Sequence, residues 1–202
     1  MENEFDYYLP FPIIGSSTPT LIVNPDSDLD VDLDLEMPYP LDGIDLIEFE
    51  FDTPYPKKPN MVDYLARGGG DGVLSEKIYQ ALSPLNVKGI QLIPATIANP
   101  KNKDIYDHYY FLHIYNYLEC LDTEKSVYTK DVLDMVEMIQ KMVLDEKVLS
   151  KIPLEERLVF RLGELFTEQL FHKSVVDAIL AINPQGLRFV KVEDFNIGSA
   201  FD

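Results

Sequence analysis

Ile105-Tyr106-Asp107-His108-Tyr109-Tyr110-Phe111-Leu112-His113-Ile114-Tyr115-Asn116-Tyr117-Leu118-Glu119-Cys120 is dense in tyrosine and phenylalanine. At a period of two it places Tyr109, Phe111, His113, Tyr115 and Tyr117 on one side of a strand and Tyr110, Leu112, Ile114 and Leu118 on the other. A strand that is large and mostly apolar on both faces has to be covered on both, so this stretch predicts a strand at the centre of a sheet. The neighbouring segments supply the rest of the fold. Ser75 is placed to cap a helix through about Leu82, with Ile78, Ala81, Leu82 and Leu85 near one face and Pro84 ending it. Val87 to Ile97 reads as a strand in which Pro94 marks an edge position or a bulge.

Downstream of the aromatic strand the period changes. Val132, Met135, Val136, Ile139 and Met142 recur at helical spacing from Asp131 onwards, which predicts a helix, with Met142 to Leu144 reading either as its end or as a short strand. Leu158 to Leu162 reads as a strand. A helix over about Lys173 to Ile182 stops at Asn183-Pro184-Gln185-Gly186 and leads into a strand from Leu187 to Val192. Strands and helices mix without a regular βαβ repeat, so the class is α+β: a mixed, mainly antiparallel sheet with two or three packed helices.

Charge divides the chain. The sequence of 202 residues has a net charge of -18, from 35 acids and 17 bases. Residues 1–60 carry 14 of those acids, only Lys57 and Lys58 as bases, and nine of the 14 prolines. A boundary near residue 60 follows, with an acidic, proline-rich segment (1–60) ahead of an α+β domain (61–202). Such acidity disfavours nucleic acid and anionic membrane surfaces as ligands, because phosphates are repelled, and favours a basic partner. No apolar stretch reaches the roughly 20 residues of a membrane span. The start Met1-Glu2-Asn3-Glu4 lacks the basic and apolar regions of a secretory signal, and the single cysteine fits a reducing compartment, so a cytoplasmic location is expected.

Within the acidic segment, Asp26 to Glu36 alternates acid and apolar residues. As a strand it would present Asp28, Asp30, Asp32, Asp34 and Glu36 on one face and Leu29, Val31, Leu33 and Leu35 on the other. A second alternating run, Asp45 to Asp52, follows the Asp42-Gly43 turn signal and carries Glu48 and Glu50, so the two runs read as an acidic hairpin or as neighbouring strands. Like charges aligned across strands destabilise each other, a cost that a basic partner would remove. A calcium loop counted from Asp26 would need glycine at Val31 and glutamate at Met37, so that pattern fails. Two readings stay open: a solvated edge strand that uses charge against aggregation, and a recognition strand for a basic partner. Asp28, Asp30, Asp32, Asp34, Glu36, Glu48 and Glu50 are the candidate partner-binding residues.

No catalytic pattern emerges. Gly68-Gly69-Gly70-Asp71-Gly72 has no following Lys-Ser or Lys-Thr and reads as a flexible turn, not a phosphate loop. His108, His113 and His172 share no metal-ligand spacing, and a histidine inside an aromatic strand is usually a satisfied core residue. Cys120 reads as a buried apolar residue. No catalytic residue, metal or cofactor is assigned. A metal-dependent hydrolase using clustered carboxylates and a non-enzymatic adaptor are the alternatives to a binding protein.

The order of motifs in the second segment carries a resemblance. Val73-Leu74-Ser75-Glu76-Lys77, then Ile90-Gln91-Leu92-Ile93-Pro94, then Tyr109 to Asn116 running into Cys120-Leu121-Asp122-Thr123-Glu124-Lys125-Ser126-Val127-Tyr128, then Val159-Phe160-Arg161-Leu162 and finally His172-Lys173-Ser174 with Pro184 to Phe189 occur in sequence. From about Gly72 to Glu193 the chain resembles the immunity domain of bacterial polymorphic-toxin systems, immunity family eleven. Phe5-Asp6-Tyr7-Tyr8-Leu9 is similar to the opening strand of such proteins. The resemblance implies a cytoplasmic antitoxin that binds and neutralises a cognate secreted toxin, with basic nucleases of the His-Asn-His type as frequent targets, and no catalytic residues of its own. Asp122, Glu124, Lys125, Ser126 and Arg161 match the family's motifs as structural or binding residues. Asp122 and Ser126 can order a turn through hydrogen bonds to backbone, and Arg161 can anchor a buried carboxylate.

Overall fold

The computed structural model describes residues 4–27, 37–67 and 72–200. Its strands begin with β1 (Tyr7–Pro12), β2 (Leu21–Val23), β3 (Ile47–Phe51), β4 (Tyr64–Ala66) and β5 (Gly72–Ser75). Helix α1 (Glu76–Leu82) separates these from β6 (Ile90–Ala98), β7 (Ile105–Ile114) and β8 (Tyr117–Leu118). Then follow β9 (Val127–Lys130), β10 (Val136–Lys141) and the short helix α2 (Glu146–Leu149). The chain closes with β11 (Val159–Leu162), β12 (Leu165–His172), α3 (Lys173–Ala181) and β13 (Leu187–Lys191). The class is α+β.

Six strands form one sheet in the order β2-β3-β6-β7-β5-β4, and a parallel bridge between Leu21 and Arg67 brings its two edges together into a near-barrel. Its interior is filled by Ile47, Phe49 and Phe51 of β3, Ile93 and Ile97 of β6, and Tyr109 and Phe111 of β7. A second sheet has the order β13-β1-β12-β11-β8. Between the barrel wall and this sheet lies another core, where Leu112 and Ile114 of β7 meet Val159, Phe171 and the inward faces of α1 (Ile78, Leu82) and α3 (Val175, Val176, Ile179). The far face of the second sheet, with Leu9, Phe160 and Leu170, is covered by Ile139 and Met142 of the β9–β10 arm, Leu149 of α2 and Phe195.

The aromatic stretch thus fills two cores at once, with the predicted alternation: Tyr109 and Phe111 point into the barrel, Leu112 and Ile114 out of it. It is two strands, because the chain breaks at Tyr115 and Asn116. Both of these amides donate to the Gly89 carbonyl, and Asn116 then accepts from the Arg161 amide at 2.8 Å, so the segment leaves the barrel and enters the second sheet as β8, parallel to β11.

Prolines sit where a strand has a neighbour on one side only. The β3 ladder of β6 begins at Ala95, just past Pro94, and a register shift follows between Ala95 and Ile97. In β1, the ladder with β12 takes Tyr7 and Tyr8, while Pro10 and Pro12 face β13 alone. Strands from both sides of residue 60 share both sheets: β1 runs between β12 and β13, and β3 between β2 and β6.

The predicted helix from Asp131 is instead the turn and second strand of a hairpin, β9–β10. Asp131 Oδ1 accepts from the amides of Leu133 (2.8 Å) and Met135 (3.0 Å), and Asp134 has φ +65°, which closes a tight turn. Register shifts between Val136 and Met138 and between Ile139 and Lys141 interrupt the period of two, so Ile139 and Met142 are both buried at a spacing that imitates a helix. Two other predicted helices lie where expected: α1 follows Ser75, whose hydroxyl donates to Asp63 Oδ1 at 2.7 Å instead of capping the helix, and α3 ends at Asn183 and Gly186, both with positive φ; α2 has no counterpart in the sequence reading. No described helix is long and apolar enough to cross a membrane. The glycine turn at 68–71 and the acidic residues from Asp28 to Glu36 lie outside the described residues.

Candidate functional site

The candidate partner-binding carboxylates that the structure describes belong to the barrel wall. β3 alternates as its sequence dictates: Ile47, Phe49 and Phe51 are buried, Glu48 is exposed and Glu50 half-buried. The Phe49 ring lies 5.9 Å from that of Phe111, which fixes the strand's rotation and so the outward aim of the two glutamates. Their cross-strand partners are Thr96 for Glu48, and Ala98 and Ile22 for Glu50. The like-charge cost expected of an acidic hairpin is therefore absent at these two positions. Among the described residues neither glutamate takes part in an ion pair. Asp42, Asp45, Glu48, Glu50 and Asp52 lie within 11 residues without a single base.

The motif residues Asp122, Glu124, Lys125 and Ser126 share one loop between β8 and β9. Asp122 Oδ1 accepts from the amides of Glu124 and Lys125, and Oδ2 accepts from Lys125 Nζ at 2.6 Å. That lysine contact holds the Asp122 carboxyl below the usual carboxylate range and raises the Lys125 ammonium in turn. The Ser126 hydroxyl donates to the Val143 carbonyl at 3.1 Å, and its oxygen accepts from the Val143 amide at 3.0 Å, so the loop is stitched to the segment leading into α2. Here Asp145 caps α2 through the amides of Lys147 and Val148. The two segments line a polar cleft of about 600 Å³.

Arg161 lies elsewhere, 1% exposed between the sheets. Its Nε donates to the Ile114 carbonyl at the end of β7 (3.1 Å) and its Nη1 to the Phe166 carbonyl of β12 (2.9 Å). The guanidinium thus ties the barrel to the second sheet. Arg157, which sequence reading passed over, ties the N-terminal segment down by donating to the Glu4 carbonyl and the Tyr7 hydroxyl. Nothing in a single sequence distinguishes such arginines, since their acceptors are mostly backbone carbonyls.

Two of the groups best suited to chemistry, His113 and Cys120, are engaged or inert. His113 is fully buried, stacked between Phe111 and Tyr115, with Nε2 2.9 Å from the Tyr39 carbonyl. Cys120 is 1% exposed, and burial pushes its thiol up to about 12, so it stays protonated at neutral pH. Burial alone pushes the Glu168 carboxyl up to about 7 in a cleft formed by β1 and β12. Among the described residues no group of three or more His, Cys, Asp or Glu side chains is arranged to hold a metal ion. The structure therefore gathers four motif residues into one ordered loop, sets Glu48 and Glu50 on the barrel wall, and puts Arg161 inside. They do not form a single constellation around a reacting atom.

A family model described as "Immunity protein family (Imm11)" matches residues 23–194. The chain belongs to this immunity protein family. The match begins well before Gly72, where the resemblance in sequence motifs starts, so it takes in β3 and the acidic run as well as the loop from Asp122 to Ser126. As a family member the chain has an immunity role. No curated protein matches it.

Proposed function

We propose that this family member neutralises a basic toxin, with a nuclease as the best-fitting class, by binding it without chemistry in the cytoplasm of the producing cell. The observation that carries the reading is the barrel wall at β3, where Glu48 and Glu50 face outward with no ion-pair partner among the described residues, in a protein of net charge -18. A nuclease has to offer a positive surface to phosphates, and that surface attracts carboxylates equally well. Acids at the rim act mainly on encounter: they speed association and select the partner, while affinity comes from contacts made afterwards. Asp28, Asp30, Asp32, Asp34 and Glu36 extend the same acidic character along the chain and complete the proposed contact set.

The test is the association rate with the toxin encoded by the neighbouring gene. Replacing Asp28, Asp30, Asp32 and Asp34 by Asn, and Glu48 and Glu50 by Gln, is expected to lower that rate by about tenfold at low ionic strength and by much less at high salt. An unchanged rate at low salt would remove the acidic face from the encounter.

A further inference from the structure

The turn between β9 and β10 reads Asp131-Val132-Leu133-Asp134-Met135, and the structure leaves its apolar members bare: Val132 is 100% exposed, Leu133 73% and Met135 59%. Single exposed apolar residues are ordinary, but three in five residues at the end of one arm are a patch. Folding does not require them, since a tight turn is satisfied by polar residues. The anchoring part of the arm lies further down, where Ile139 and Met142 are buried against the second sheet.

The tip is also held rigid. Asp131 donates its amide to the Met135 carbonyl (2.9 Å), its carbonyl accepts from Asp134 (3.2 Å), and its carboxylate takes the amides of Leu133 and Met135. An ordered apolar knob loses little conformational entropy on docking, which is what a central interface anchor needs. Asp131 and Asp134 belong to the turn and Glu137 follows two residues after Met135, and the nearby Lys130 is bound to Asp134 at 2.9 Å.

We propose that Val132, Leu133 and Met135 at the β9–β10 tip are the apolar anchor that this immunity protein seats in an apolar pocket, rimmed by basic residues, on its toxin. The inference rests on the toxin-binding reading above and deepens it by naming the second, affinity-determining contact. Charge selects the occupant. A second copy would bring another net charge of -18 and another set of acids to the knob, and an anionic bilayer would repel the same acids. A basic protein surface is attracted by them.

The triple variant Val132→Ser, Leu133→Ser, Met135→Ser in the full chain tests this against the toxin domain encoded by the neighbouring gene. Affinity is expected to fall at least about 30-fold, chiefly through faster dissociation. The thermal midpoint should change little, since the replaced side chains are mostly exposed to solvent. As a second readout on the unaltered protein, Met135 should oxidise readily with peroxide when free and be protected in the complex. Wild-type affinity in the triple variant, or an unprotected Met135, would overturn the anchor while leaving toxin binding intact. Failure of the unaltered chain to bind the toxin would overturn both. A concentration-dependent dimer, or sedimentation with vesicles of neutral and anionic phospholipid, that is lost in the triple variant would assign the tip to another occupant and overturn the proposal.

Discussion

Arg161→Met is expected to lower the unfolding free energy by about 3–5 kcal/mol, one of the two largest single-residue effects considered. Methionine can occupy much of the space of the aliphatic stem, so the loss is mainly polar. The substitution strands the Ile114 and Phe166 carbonyls, which now accept from Nε at 3.1 Å and Nη1 at 2.9 Å. The buried Ile114 carbonyl left without a partner costs about 1–3 kcal/mol, and the part-buried Phe166 carbonyl, which water can reach, costs less. The two carbonyls belong to the barrel and to the second sheet, so the clasp between layers is lost along with the hydrogen bonds. Urea unfolding should show a lower midpoint with an unchanged slope. Arg161→Lys should recover only part of the loss, because one ammonium cannot reproduce the planar fork of the guanidinium. A loss below about 1 kcal/mol in Arg161→Met would contradict this role, that being the ordinary worth of one net hydrogen bond. Because the side chain is 1% exposed, any effect on immunity is expected to come through the fold.

Gly186→Ala is expected to cost about 3 kcal/mol by two separable routes. Its φ of +81° is a left-handed conformation that alanine adopts at a penalty of about 1 kcal/mol. A Cβ there would also lie 2.4 Å from Val62 Cγ2 and 2.9 Å from the Tyr64 carbonyl oxygen, so the turn after α3 could no longer dock on the barrel. That docking is specific: the Gln185 amide donates to Asp63 Oδ2 at 2.8 Å, and the Gln185 carbonyl accepts from the Asp63 amide at 3.0 Å. Gly43→Ala is the control, with φ +80° and nothing within 4 Å of the added atom. In thermal unfolding the Gly43 variant should show the conformational penalty alone, and the difference between the two variants measures the close packing. Equal losses would mean that the contact with Val62 relaxes at no cost.

The positions these predictions use were unequally readable in the chain itself. β7 could be placed from its residues because a strand buried on both faces has to be apolar on both, as it is from Tyr109 to Ile114. α1 and α3 announced their ends through Ser75, Pro84 and Asn183-Pro184-Gln185-Gly186. The β9–β10 hairpin did not, because its two register shifts turn a period of two into intervals of three, which with the apolar tip imitate a helical face. Among the described residues, closure of the barrel shows as a bridge between Leu21 and Arg67, a pairing that no local pattern encodes.

The same division holds for the site. The outward aim of Glu48 and Glu50 follows from alternation alone. The buried position of Arg161 does not, since two of the groups it donates to, at Ile114 and Phe166, are backbone carbonyls that leave no mark in the residue types. Asp122 and Ser126 carried a turn signal, but their attachment to Val143 joins residues 17 or more apart and needed the fold to be seen.

The central claim, neutralisation by binding, is tested most directly by titrating a fixed amount of the neighbouring gene's toxin with the purified chain and following residual toxin activity. Activity is expected to fall in proportion to the chain added, to reach its floor at a fixed stoichiometric ratio, and to return when the complex is dissociated. Toxin activity that is untouched at excess chain, or abolished by a small fraction of an equivalent with time, would contradict it: the first denies the interaction, and the second would mean that the chain turns over as an enzyme.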